Sequence, residues 1–129
     1  MSQRPKKSAE IEFLRRSLCP VTNSLEIVGD KWTMVVIRDL FMGKRTYSDF
    51  QQSPEGIPTN ILADRLKRLQ SAGIVEKIPY QEKPTRYEYK LTPKGKALSK
   101  VLRALKEWGL NNIPGTSAEF AEKKGDGDS

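Results

Sequence analysis

The stretch 43–91 constrains the fold of this chain most, because helical and extended patterns follow one another there without a long gap. Thr46 and Asp49 have the Thr-x-x-Asp spacing of a capping box, which predicts the first turn of a short helix. The run Ser53-Pro54-Glu55-Gly56 has the composition of a turn. A short helix followed directly by a tight turn is therefore expected.

A second helix is predicted from about Pro58 to Ser71, with a proline in its first turn and Gly73 as its stop. Ile74–Tyr80 and Arg86–Leu91 have the composition and alternation of strands, and the polar residues 81–85 between them form a loop. A helix–turn–helix followed by a β-hairpin is the arrangement of a winged helix.

The flanking sequence is helical in pattern on both sides. Apolar spacing and capping residues predict four further helices, namely Ser8–Leu18, Val21–Val28, Lys31–Met42 and a helix from Thr92-Pro93 to about Gly109. The Lys31–Met42 helix carries too many apolar residues for a surface position and is expected to be the buried scaffold. The predicted fold class is mainly α with a small β-hairpin (α+β).

Charge is unevenly distributed along the 129 residues, whose formal net charge is +7. Residues 1–112 hold 21 lysines and arginines against 12 acidic residues, whereas residues 113–129 hold 2 against 4. We expect a basic, flexible arm at 1–7, one domain at 8–112 and an acidic, disordered tail at 113–129. A basic domain favours a polyanionic partner, nucleic acid ahead of an acidic membrane surface.

Several classes of function are excluded by what the sequence lacks. It has no apolar run long enough to span a bilayer and no apolar signal core, which predicts a soluble, cytoplasmic protein. It has no histidine and one cysteine, Cys19, so we expect no internal disulfide, no metal site, no cofactor and no Ser-His catalysis. An enzyme that uses Cys19 as its nucleophile is the remaining catalytic alternative, and the prediction is that the protein is not an enzyme.

The second helix of the motif has one apolar and one polar side. At 100° per residue, Leu62, Leu66 and Leu69 share a narrow arc, which predicts its buried side. The N-terminal part of such a helix enters the major groove of DNA, and its side chains there can contact base edges. The candidate base readers are Thr59, Asn60, Ala63 and Asp64, and the candidate phosphate contacts are Lys67 and Arg68.

The hairpin loop adds two cations to this surface. Lys83 and Arg86 bracket a proline-bearing turn, a suitable shape for a wing that contacts phosphates or the minor groove. The alternatives are a merely solvated helix face and an ordinary charged loop. A winged helix used as a protein–protein interaction module, without sequence-specific DNA binding, is the alternative at the level of function.

The ordered combination of short motifs from 18 to 109 resembles the HxlR-type family of transcriptional regulators. The matching motifs are Cys19-Pro20-Val21, Gly29-Asp30-Lys31-Trp32, Leu40-Phe41-x-Gly43, Gly56-Ile57, Leu62-x-x-Arg65-Leu66-Lys67-x-Leu69, Gly73-Ile74-Val75, Tyr89-x-Leu91-Thr92-x-x-Gly95 and Trp108-Gly109. The chain departs from the usual pattern in two places. Arg45 stands one place earlier than the family's arginine, and Pro58 stands where serine is common.

The resemblance implies a MarR-like winged helix that binds double-stranded operator DNA as a homodimer, with its N- and C-terminal helices forming the dimer. Since a small domain has little core to cover long apolar stripes, composition also favours a partner surface. The alternative is that the stripes cover only their own core. The expected dimer residues are Ile11, Leu14, Leu18, Leu98, Val101, Leu102, Leu105 and Trp108. Two-fold symmetry predicts a pseudopalindromic operator, and repression is the expected outcome.

Cys19 precedes a helix, where the N-terminus would stabilise a thiolate, and Arg15 and Arg16 lie one turn upstream. Some members of the family sense oxidants or electrophiles with a cysteine at this position, so the resemblance makes Cys19 a redox-sensing candidate. The alternative is a small structural thiol beside the dimer helices. The sequence does not indicate which small molecule or oxidant acts as effector.

Overall fold

A computed structural model describes residues 17–118, and all statements about the structure concern this part of the chain. The elements in order are α1 (Pro20–Val28), α2 (Lys31–Phe41), α3 (Tyr47–Gln51), α4 (Thr59–Ser71), β1 (Val75–Glu82), β2 (Thr85–Leu91), α5 (Pro93–Lys96) and α6 (Ser99–Asn112). The predicted class, mainly α with one antiparallel hairpin, is confirmed. Of the described residues, 17–30 belong to one compact unit and 31–118 to another.

In the first unit, the prediction of a helix that reaches Leu18 is wrong. Leu18 lies outside any helix and is exposed. The Asn23 side-chain amide donates to the carbonyls of Ser17 and Cys19 and so holds this entry to α1 in place. Cys19 has an extended conformation, because a residue before a proline is driven out of the α region. The other two predicted stripe residues, Ile11 and Leu14, lie outside the described residues.

In the second unit, α2 is the central helix and lies against α4, β2 and α6. Its inner side chains Val36, Ile37 and Leu40 are buried, which confirms the expected scaffold role. Trp32, Val35 and Phe41, however, are only half-buried. The rest of the core is supplied by Phe50, Ile57, Leu62, Leu66, Leu69, Ile74, Val75 and Tyr89.

A buried polar network joins the end of α2 to the turn before α4. The Arg38 guanidinium donates to Asp39 at 2.8 Å and 3.2 Å and to both carboxylate oxygens of Glu55 at 2.6 Å and 2.8 Å. The Ser53 hydroxyl donates to the other Asp39 oxygen. Because Ser53 and Glu55 belong to the turn, these bonds fix where α4 begins.

The far end of α4 is held by the segment after the hairpin. Gly73 follows the helix with a φ of 77°, a left-handed conformation that favours glycine. Lys94 Nζ donates to the Ala72 carbonyl at 2.7 Å, and the Thr92 hydroxyl donates to the Gly73 carbonyl at 2.6 Å. A Cβ on Gly95 would collide with the Ile74 carbonyl oxygen, so only glycine fits there.

The predicted single helix from Pro93 to Gly109 is wrong. The chain forms two helices there, with Ala97 and Leu98 between them. The first is tied to the end of α4 through Thr92, whose hydroxyl also accepts from the Gly95 amide at 3.1 Å. These bonds hold α5 at the end of α4, and the longer helix α6 begins only after Ala97 and Leu98.

Candidate DNA-binding surface

The orientation of α4 is set by its leucines. Leu62, Leu66 and Leu69 are each at most 1% exposed, which confirms the predicted buried side. Pro58 is the N-cap residue, so the helix itself starts at Thr59, one residue later than predicted, and Pro58 offers no side-chain capping bond. The first backbone amides of α4, at its N-terminal end, therefore have no capping bond from the Pro58 side chain.

The opposite side of α4 is open to solvent. Thr59, Asn60, Asp64, Lys67, Arg68 and Ser71 are exposed, and Ala63 is half-buried between them. Asn60 makes no hydrogen bond to the other described residues, so both its amide groups are available to a ligand. The residues chosen from sequence as DNA contacts therefore lie on one continuous face, as their helical spacing predicts.

Asp64 has two arginine partners on this face. Its Oδ2 accepts from Arg65 at 2.5 Å and from Arg68 at 2.9 Å, whereas its Oδ1 has no described partner. Asp64 and Arg68 are separate contacts in the prediction from sequence. The structure pairs them, so the carboxylate holds the Arg68 side chain while one of its oxygens still faces solvent.

Helix α3, the first helix of the motif, begins with the predicted capping box. The Thr46 hydroxyl accepts from the Asp49 amide, and Asp49 accepts from the Thr46 and Arg45 amides. The Arg45 amide bond is the largest cause that holds the pKa of Asp49 below its ordinary value. Gln51 Nε2 then donates to the Thr59 hydroxyl at 3.3 Å, which links the two helices of the motif.

The hairpin presents its cations at and beside its tip. Lys83 and Pro84 form the turn between β1 and β2, shorter than the predicted loop 81–85, and the peptide bond between them is cis. Lys83 is exposed at this tip, and Arg86 is exposed one residue into β2. Among residues 17–118, neither Lys83, Arg86 nor Lys67 makes a salt bridge, so their charges remain available to an anion.

The predicted dimer residues of the C-terminal helix are exposed in the single chain. Helix α6 buries none of its residues, and Leu105 and Trp108 are 52% and 61% exposed. Val101 is exposed as well, whereas Leu98 and Leu102 are half-buried. An exposed apolar stripe of this size is typical of a helix that packs against another molecule.

Cys19, in the first unit, is an exposed free thiol at the N-terminus of α1. The pKa of Cys19 is lowered from its ordinary value, first by the Thr22 amide, then by the Thr22 hydroxyl and the Val21 amide. The helix N-terminus thus acts as the sequence predicted. Arg15 and Arg16 lie outside the described residues.

The structure also shows features that the sequence analysis missed. The Arg38–Asp39–Glu55 network is one, although two adjacent opposite charges inside an apolar helix could have indicated a buried ion pair.

Within residues 17–118, no three side chains of the usual metal-binding types lie together, and no helix is long and apolar enough to cross a membrane.

The fold and this surface define a winged helix-turn-helix protein of the transcription-regulator class. The chain belongs to the HxlR-like helix-turn-helix family, whose sequence pattern matches residues 27–117. Helices, hairpin and family together confirm the resemblance drawn from the sequence motifs.

Two relatives illustrate the range of the match. The uncharacterized HTH-type transcriptional regulator Rv3095 of Mycobacterium tuberculosis is 35% identical over 94 residues, which are 73% of this chain and 59% of that protein. This chain therefore matches less than two thirds of that relative's length. The uncharacterized HTH-type transcriptional regulator sll1512 of Synechocystis is 32% identical over 110 residues, 85% of this chain and 82% of that protein.

Solved structures share the fold at similar identity. The crystal structure of PA1607 has a TM-score of 0.71 at 38% identity, covering 80% of this chain and 72% of that one. The reduced form of the redox regulator HypR has a TM-score of 0.69 at 30% identity, covering 74% of this chain and 95% of that one. HypR in its oxidized form has a TM-score of 0.67 at 32% identity, covering 73% of this chain and 97% of that one.

Proposed function

We propose that this protein binds double-stranded operator DNA as a homodimer and represses transcription from the promoter it covers. The observation that carries this proposal is the exposed polar face of α4 next to unpaired cations on α4 and the hairpin. A helix presented in this way fits the major groove, and cations at a wing fit neighbouring phosphates.

The side chains divide into base readers and phosphate contacts. Asn60 can bind adenine through two hydrogen bonds, and Ala63 can contact a thymine methyl group. Asp64 can accept from a cytosine amine through Oδ1 while Oδ2 keeps Arg68 directed along the helix. Thr59 completes the base-facing group, and the proposed phosphate contacts are Lys67, Arg68, Lys83 and Arg86.

This division is tested by gel shift against the protein's own upstream DNA at several salt concentrations. Asn60→Ala should cost about 1–3 kcal/mol on the operator and little on unrelated DNA. Lys67→Ala and Lys83→Ala should weaken all sequences alike and lower the salt slope by about 1 each. Lys100→Ala, an exposed lysine on α6, is the matched control and should change neither.

Two outcomes would contradict the proposal. Equal losses from Asn60→Ala and Lys67→Ala on every sequence would show that α4 does not read bases. Absent or salt-insensitive binding by the purified protein would instead favour a winged helix that serves as a protein–protein interaction module.

The homodimer is proposed from the exposed stripe of α6. Burying Leu105 and Trp108 against a second copy would remove large apolar surfaces from water at about 25 cal/mol per Å². A dimer would also place two α4 helices on a pseudopalindromic operator, with half-sites about one helical turn, or a multiple of it, apart. Ile11, Leu14 and Leu18 remain proposed members of the same interface.

Sedimentation velocity tests the dimer. Leu105→Asp should convert the protein to monomer and strongly weaken operator binding, because a monomer reads one half-site. Arg103→Ala, on the opposite side of the same helix, should leave the dimer intact. A Leu105→Asp protein that stays dimeric would place the interface elsewhere.

We further propose that Cys19 makes this regulator redox-responsive. Two Cys19 thiols, one from each subunit, would lose two electrons and two protons to an oxidant such as diamide and form an intersubunit disulfide. The exposed, lowered-pKa thiol supports this role, and HypR is a related redox regulator. Diamide should release operator DNA from the wild type but not from Cys19→Ser. Equal responses of the two proteins would leave Cys19 a structural thiol.

A further inference from the structure

All four tyrosines of the chain line one open cavity between α3 and the hairpin. Its volume is about 640 Å³, within the range of roughly 300–1,000 Å³ that small-molecule sites have. Two cations, Lys77 and Arg86, line the same cavity. The proposed DNA contacts account for Arg86 but for none of the tyrosines.

The inner wall of the cavity is rigid and aromatic. Tyr89 is buried, and its ring lies 6.3 Å from that of Tyr47 and 6.5 Å from that of Phe50, at tilted and edge-on angles. Burial raises the pKa of Tyr47 and of Tyr89, so both phenols stay neutral. Neutral phenols can donate hydrogen bonds and do not repel an anion.

The outer wall is formed by exposed tyrosines that the hairpin directs inward. Tyr80 and Tyr87 are 51% and 42% exposed, which is high for rings of this size. Pro79 pairs with Tyr87 and Gln81 with Arg86, so Tyr80 is the extra residue of a β-bulge. A bulge changes the side to which the side chains of its own strand point, and Tyr80 lines the cavity. Arg86, the partner of Gln81 on β2, lines it as well.

The charge of the cavity is positive. Lys77 Nζ lies 4.4 Å from the centre of the Tyr87 ring, and neither Lys77 nor Arg86 makes a salt bridge within residues 17–118. Asp49 is the one carboxylate that lines the cavity, and its Oδ2 accepts from two backbone amides. A ligand that enters between the tyrosines would thus meet two cations that form no ion pair with any described residue.

We propose that this cavity binds a small planar aromatic anion, of the monocyclic aryl carboxylate class. The ring would stack among the tyrosines, and the carboxylate would accept from Lys77 and Arg86. Because Arg86 is also a proposed DNA contact, the ligand and DNA compete for it and each weakens the binding of the other. The competition rests on the proposed DNA-binding function, whereas ligand binding does not.

Isothermal titration of the purified full chain with benzoate, without DNA, tests the site. Benzamide, the neutral analogue, should bind about tenfold more weakly, because the charge-assisted bonds are lost. Lys77→Gln should weaken benzoate by about tenfold as well. Lys90→Gln, which removes an exposed lysine of β2 outside the cavity, is the matched control and should stay within about twofold of wild type.

Tyr80→Leu provides a second readout, since loss of the exposed ring should weaken benzoate about fivefold without unfolding the protein, as checked by circular dichroism. No benzoate binding at millimolar concentration, equal binding of benzoate and benzamide, or equal effects of Lys77→Gln and Lys90→Gln would overturn the site. Displacement of benzoate by equimolar inorganic phosphate would also overturn it and assign the cavity to the DNA backbone.

Fluorescence anisotropy with labelled operator DNA tests the competition separately. Benzoate should raise the apparent Kd for DNA in the wild type, and about tenfold more benzoate should be needed for the same rise in Lys77→Gln. Benzoate binding with an unchanged DNA affinity would overturn the competition alone. If the protein bound no DNA at all, the proposed function would fail, while the titrations without DNA would still decide the site.

Discussion

Replacing Arg38 with leucine is expected to destabilise this protein strongly, because the substitution strands a buried carboxylate. The Asp39 side chain is 1% exposed, and Arg38 is the nearer of its two cations, at 2.8 Å. The same guanidinium holds Glu55 through two bonds, and this contact is the largest cause that raises the pKa of Arg38 and the main cause that lowers the pKa of Glu55.

The expected magnitude follows from what remains after the change. Removing one partner of a buried ion pair costs about 3–5 kcal/mol. Asp39 would keep the Ser53 hydroxyl, and Lys44 Nζ lies 3.8 Å from its other oxygen, which gives partial compensation. We therefore expect a loss of about 3 kcal/mol, at the lower end of that range. The control Arg68→Leu breaks an exposed pair with Asp64 and should cost only about 0.3–0.5 kcal/mol.

Urea unfolding, followed by circular dichroism at one fixed protein concentration, measures both variants. Arg38→Leu should lower the midpoint with an unchanged slope, which marks a change of stability rather than of the unfolded state. The turn at Ser53 and Glu55 should also loosen, so operator affinity should fall although Arg38 is not a proposed DNA contact. A loss no larger than that of Arg68→Leu would refute the reasoning, because leucine would then replace the network at no cost.

Three further outcomes are expected. The pKa of Glu55 is lowered in the folded protein, so its carboxylate contributes stability above pH 4.5, and this contribution is lost as the pH falls through the folded pKa. Glu55→Gln should therefore lose less unfolding free energy in acid than the wild type does. An identical pH profile of the two proteins would contradict this. Gly95→Ala should cost about 1–3 kcal/mol in urea because its Cβ meets the Ile74 carbonyl, while Gly109→Ala, with open space around it, should not destabilise. Asp64→Asn should release Arg68 to phosphates, and gel shifts should show tighter binding to unrelated DNA and weaker discrimination; unchanged discrimination would count against base reading by Asp64.

Local patterns were sufficient for most of the helices and the hairpin. Thr46 and Asp49 predicted a capping box that forms as expected, and the leucine spacing of 62, 66 and 69 predicted the buried side of α4. These features depend on residues within a few positions of each other, so the sequence contains their cause. The failure at Ala97 and Leu98 has a different origin, since the short helix before the break is held by bonds from Thr92 to Gly73 and from Lys94 to Ala72, 19 and 22 residues earlier in the chain.

The sequence by itself therefore determined the order of the elements, the polar face of α4 and the family of the protein, because each depends on short-range spacing or motif order. Only the tertiary structure decided the partners of Asp39, the pairing of Asp64 with Arg68 and the gathering of Tyr47, Tyr80, Tyr87 and Tyr89 around one cavity. Such groupings depend on how α3 meets the hairpin and where a bulge lies. Contacts between residues far apart in the chain are set by packing, so a local sequence pattern does not predict them.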